Sequence, residues 1–141
     1  MKKARTLLTL LCLIPLTACV TREQADEKLA NGCAAGVELF LSEGFHIKSI
    51  KKKLFKNDPD LGAGFRDVTL YAVESDSWLD VDKEYKCIFA ESFGFLSANY
   101  TASIYQIKVN EQTYGKEGNK ILGTFEDHLK LTQTVDEALN K

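Results

Sequence analysis

The sequence is poor in the residues and motifs that usually carry chemistry. Its 141 residues include two histidines, and neither belongs to a His-Glu-x-x-His motif. No serine sits in a Gly-x-Ser-x-Gly turn, and no glycine-rich phosphate loop is present. A nucleophile needs a base within hydrogen-bond reach, and that base needs an orienting group. His46 stands at the start of a strand-like stretch, and His128 lies beside Glu126 and Asp127 in a helical one. Neighbouring helix positions do not face one another, so that trio is no preformed site. Asp76, Asp80 and Asp82 are hard oxygen ligands, but the segment lacks the central glycine and closing glutamate of an EF-hand. No catalytic constellation, metal site or cofactor is expected. Low-complexity tracts, internal repeats and Cys-x-x-Cys pairs are also missing.

What is present begins at the amino terminus. Lys2, Lys3 and Arg5 precede an apolar run from Leu7 to Leu16, which is the layout of a secretory signal. The run is too short for the roughly 20 apolar residues that span a bilayer. Leu16-Thr17-Ala18-Cys19 resembles the lipobox of bacterial lipoprotein precursors. The resemblance covers residues 1–19. It implies a signal peptide over 1–18 and a diacylglyceryl group on the Cys19 sulfur. The mature chain would then start at Cys19, held on a membrane by acyl chains such as palmitate. In that class an Asp directly after the cysteine tends to retain the product in the inner membrane. Val20 stands there instead, which favours the outer membrane, facing the periplasm, in a Gram-negative host.

Residues 19–141 are then one domain, long enough for a real core. Three of the 18 basic residues fall in 1–18, which leaves 15 against 20 acidic ones, a net charge of −5. That balance gives no support for nucleic-acid binding. Cys12 falls in the apolar run and Cys19 would carry the lipid that the resemblance implies, so Cys33 and Cys87 would remain in an exported chain. The simplest expectation for them is a structural disulfide.

The expected fold is α+β: an N-terminal helix on an antiparallel meander of about four strands, followed by a C-terminal helix. Thr21 to Gln24 forms a capping box, and Ala25, Leu29, Cys33, Gly36, Val37 and Phe40 share one helical face. This predicts a helix from about Arg22 to Glu43, with Gly32 and Gly36 admitting close approach of a sheet. Phe45–Lys56 is assigned as a strand, although Ile47, Ile50 and Leu54 also fit a helix. Strands follow over Phe65–Glu74, Lys83–Ala90 and Tyr100–Val109, with Tyr105, Ile107 and Val109 on one face. Thr113-Tyr114 forms a short return strand, and Lys116–Lys120 is a loop. Thr124 opens the second helix, whose stripe is Phe125, Leu129, Thr132, Val135 and Leu139. Asn99-Tyr100-Thr101 matches a glycosylation sequon, which the bacterial lipobox discounts.

Two surface features are candidates for contact. Lys48, Lys51, Lys52, Lys53 and Lys56 form a basic stretch, suited either to a protected sheet edge or to an anionic surface or partner. Trp78, Phe93, Phe95 and Tyr114 fall in or beside loops and are candidate partner-binding aromatics. The expectation is a non-catalytic envelope lipoprotein that binds another envelope protein or a wall component. A small-ligand or lipid-binding lipoprotein is the first alternative, and an enzyme the second.

Overall fold

The computed structural model describes residues 19–95 and 99–141. The signal segment 1–18, with Cys12 and the lipobox residues Leu16 to Ala18, lies outside them. The chain runs α1 (Arg22–Leu39), β1 (His46–Asn57), β2 (Phe65–Ser75), β3 (Asp80–Phe93), β4 (Tyr100–Val109), β5 (Gln112–Glu117), β6 (Lys120–Leu122) and α2 (Phe125–Leu139). The strands form one antiparallel sheet in sequence order, so β1 and β6 are its edges. The α+β architecture is as expected. The strand count is six rather than about four. β5 extends beyond Thr113-Tyr114, and the loop from Lys116 hides a tight hairpin whose return strand is only three residues long.

Both helices start on capping boxes. At α1, Gln24 N donates to Thr21 Oγ1 (3.2 Å) and Thr21 N donates to Gln24 Oε1 (3.0 Å). At α2, Thr124 and Asp127 repeat the exchange at 3.0 and 3.1 Å. α1 stops at Leu39, one turn earlier than its apolar spacing suggests, with Phe40 as C-cap.

The helices pack on one face of the sheet. Val68, Leu70, Ala72, Tyr85, Cys87, Phe89 and Ile107 close the core from below. Leu29, Cys33, Val37, Leu131 and Val135 close it from above. Cys33 of α1 is bonded to Cys87 of β3, with their Cα atoms 5.8 Å apart. The bridge pins helix to sheet in the centre of the core.

Three details differ from the sequence pattern. Gly32 and Gly36 mainly admit the other helix. A Cβ on Gly32 would lie 3.0 Å from Leu139, and one on Gly36 would lie 3.0–3.1 Å from Ile107, Leu131 and Val135. The buried stripe of α2 is Leu131, Val135 and Leu139, the residues that meet these glycines. Phe125 and Leu129 are more than half exposed, so two members of the expected stripe face outward. In β4 a bulge breaks the alternation. Phe89 pairs with Ile104 while Ile88 pairs with Gln106, so Tyr105 is the extra residue. Ile104, not Tyr105, joins Ile107 and Val109 in the core. Tyr105 packs edge-on against Phe65 at 5.1 Å.

Candidate functional site

The meander gives the sheet two ends of different character. β1–β2 and β3–β4 turn at the end where α1 begins, close to Cys19. β2–β3 turns at the other end. Asp80 to Phe93 is 13 steps of strand, so the ends are about 40 Å apart at ~3.3 Å per residue.

The end nearest Cys19 is fixed by a charged network. Arg22 donates to both carboxylate oxygens of Glu91, at 2.7 and 2.9 Å, and lies 2.6 Å from Asp26. Arg66 donates to Asp26 at 2.7 and 3.1 Å and to Asn57 at 3.0 Å. Tyr100 donates to Glu91 at 3.0 Å. Glu91 is nearly buried, and both arginines are partly so. Burial disfavours the Arg22 charge, but Glu91 and Asp26 outweigh it and leave the guanidinium above its usual range. Burial and the Glu91 charge push the Tyr100 hydroxyl up. The Arg22 guanidinium also sits 5.0 Å from the ring centroid of Phe93, which in turn packs on Tyr100 at 4.8 Å.

The far end carries a structured tip. Asp76 Oδ1 accepts from the backbone of Trp78 (3.0 Å) and of Leu79 (2.7 Å). Asp76 N donates to Leu79 O, and Ser77 takes a left-handed conformation at φ 80°. These two amides hold the Asp76 carboxyl below its ordinary range. The turn leaves Trp78 96% exposed and Leu79 58% exposed. A tryptophan this open is uncommon on a folded domain, because its ring removes more apolar area from water than almost any other side chain. The stem beneath it is braced by Lys48 to Asp80 and Lys51 to Asp82, both at 2.6 Å. The Lys48 hydrogen bond keeps the Asp80 carboxyl low.

The lysine stretch lies along edge strand β1, and its charges are locally balanced. Besides Lys48 and Lys51, Lys53 reaches Glu27 at 2.5 Å and Lys56 reaches Asp67 at 3.4 Å. Lys52 lies over the Tyr71 ring at 5.7 Å. The result is a lysine-lined edge with acidic partners rather than a concentrated positive field. Of the four candidate aromatics, Trp78 stands at the far tip and Phe93 and Phe95 at the end nearest Cys19. Tyr114 is stacked on Phe40 at 3.8 Å and serves local packing. Sequence reasoning missed Leu79 at the tip and the network around Glu91. The signal for the tip was Asp76, which can accept from amides two and three residues on.

Among the described residues, no three His, Cys, Asp or Glu side chains converge as a metal site. Asp76, Asp80 and Asp82 are engaged by amides and lysines, and His46 and His128 lie on separate elements. A cleft of about 360 Å³ opens beside Val20, between Lys28, β4 and the end of α2. Lys28 Nζ donates to Leu139 O at 2.9 Å, which ties α1 to the end of α2 along this cleft. Among the described residues, no helix is long and apolar enough to cross a membrane. Comparison with protein families, with characterised proteins and with solved structures finds no match to this chain.

Proposed function

We propose that this protein is a non-catalytic envelope lipoprotein, tethered through Cys19, that binds another envelope protein through the Trp78–Leu79 tip. The observation that carries the reading is the exposure of Trp78 on a turn held by Asp76, at the end of the sheet away from Cys19. A rigid aromatic pays little ordering entropy on binding, which is why Trp and Tyr dominate interface hot spots. Thr21 caps α1 only two residues after Cys19, so little linker separates anchor from fold. An anchor at one end directs the tip away from the membrane. A Gram-negative host would place the tether in the outer membrane and the tip in the periplasm.

The test has two arms. Cys19→Ala should abolish incorporation of labelled palmitate and leave an unprocessed precursor. Chemical cross-linking in cells should capture a discrete partner with the native protein, and Trp78→Ser should weaken that capture about 30-fold, the effect of a ~2 kcal/mol hot spot. Undiminished capture by Trp78→Ser would remove the tip from the account. Capture of glycan fragments in place of protein would move the reading to a wall component.

A further inference from the structure

The network that fixes the start of α1 also gathers apolar side chains around it. Cys19 is exposed and three residues from Arg22. Arg22 is held on Glu91 and over Phe93. Two residues beyond Phe93, Phe95 is 86% exposed, while Phe93 itself is 37% exposed. The neck of this hairpin is tight. Gly94 N donates to Asn99 O at 3.0 Å, and a Cβ at Gly94 would come within 2.9 Å of Asn99. On the other side, Glu91 N donates to Gly64 O at 2.8 Å and draws in the β1–β2 loop, where Leu61 is 39% exposed. Phe93 thus stands on Arg22, and Phe95 and Leu61 are exposed on the two hairpin turns at this same end of the sheet, where α1 begins.

We propose that this end of the domain is a membrane-seating surface, in which Phe95, aided by Phe93 and Leu61, inserts at the headgroup–acyl boundary beside the lipid chains of Cys19. The inference rests on the reading of Cys19 as the lipidated residue. A chain of three residues reaches only about 10 Å when extended, so acyl chains on Cys19 bring any bilayer to this end. Exposed aromatic and aliphatic side chains partition into the interface region. Arg22 over Phe93 and the Gly94–Asn99 hydrogen bond hold the backbone on which Phe95 follows. The lipids supply attachment, and the seat supplies orientation: the long axis of the sheet stands off the membrane and carries Trp78 outward.

Trp78 is the sole tryptophan of the chain, which makes the idea measurable by fluorescence. Trp78→Phe combined with Phe95→Trp places a single reporter at the seat. The mature lipidated protein, starting at Cys19, is reconstituted into phosphatidylethanolamine and phosphatidylglycerol vesicles, with or without bromine on the acyl chains. The seat predicts at least about twofold quenching by brominated lipid and a blue-shifted emission, while the native protein, reporting from Trp78, is unquenched. A second reporter, Trp78→Phe with Leu61→Trp, is expected to be quenched as well, and it keeps the test informative if the first variant misfolds. Protein that floats with the vesicles yet shows water-exposed, unquenched emission from both reporters overturns the seat and leaves the tether standing. Protein that does not float at all overturns the tether and the seat together.

Discussion

Arg22 and Glu91, 69 residues apart in sequence, meet through two parallel hydrogen bonds and join the first turn of α1 to the end of β3. Paired guanidinium and carboxylate groups of this kind are among the strongest polar contacts when partly withdrawn from water. Glu91→Ala removes both bonds and the Tyr100 contact, leaving the Arg22 charge facing Phe93 and Asp26. Arg22 is itself more than a third exposed, so the loss is screened to about 1.5–3 kcal/mol. Thermal unfolding followed by circular dichroism should show a fall in Tm of roughly 5–12 °C. An unchanged Tm would mean that the pair does not hold the helix start.

The Cys33–Cys87 bridge closes a sequence separation of 54 residues. In the chain-entropy account, a loop of that size stabilises the fold by about 4 kcal/mol. Replacing both cysteines with alanine should lower Tm by roughly 10–20 °C, and native protein should resist thiol alkylation at both positions without reductant. Labelling of Cys33 and Cys87 in native protein would contradict the bridge.

Asp58 and Asp67 face each other near the β1–β2 turn and respond to pH in opposite directions. Amide hydrogen bonds from Leu61 and Asp60 hold the Asp58 carboxyl below its ordinary range. Burial first, and then the neighbouring Asp58, raise that of Asp67, one of whose oxygens is buried without a hydrogen-bond partner. A depressed carboxyl stabilises the fold above its unfolded pKa, and that contribution is lost as pH falls through the folded value. A raised carboxyl does the reverse: it costs stability at neutral pH, and the cost disappears as it takes up its proton. Asp67→Asn should therefore stabilise the protein at pH 7 despite losing the Lys56 contact, with the gain shrinking as Asp67 protonates in the native protein. Urea titrations of both proteins across acidic and neutral pH check this. A loss of stability at pH 7 would contradict it.

Gly115 is the glycine that the sheet cannot exchange. At φ 112°, a Cβ there would lie 2.3 Å from the backbone oxygen of Tyr105, the bulged residue of β4. Gly115→Ala should cost about 2–4 kcal/mol and move the urea midpoint down by roughly 1–2 M. Wild-type behaviour of that variant would show that the bulge relaxes freely.

Local signals carried much of this fold. Thr21, with Gln24 in a capping box, and Thr124, as an N-cap, announced both helices because these signals lie within the first turn. The expected Cys33–Cys87 bridge placed β3 beneath the first helix, where it is found. What was illegible depends on partners distant in sequence. Nothing around Tyr105 marks the bulge, which is visible only in the pairing with Ile88 and Phe89. The apolar spacing of α2 put Leu129 on the buried stripe, whereas Leu131 takes that place because α1 offers Gly36 to it. The lysines of β1 read as a basic patch because Glu27, Asp67, Asp80 and Asp82 lie on other elements. Likewise, the sequence showed that Trp78 and Phe95 lie in loops, but not that the loops occupy opposite ends of the sheet. That separation follows from the length and antiparallel order of β3.

The account stands on that separation of tether from tip, and site-specific photo-cross-linking in living cells tests it directly. A photoreactive residue at position 78 should yield a discrete adduct with one envelope protein, whereas the same residue at exposed Lys86, on the sheet face away from the helices, should not. An adduct profile at 78 that matches position 86, or one made up only of lipid, would contradict the claim that Trp78 is the partner-binding end of the molecule.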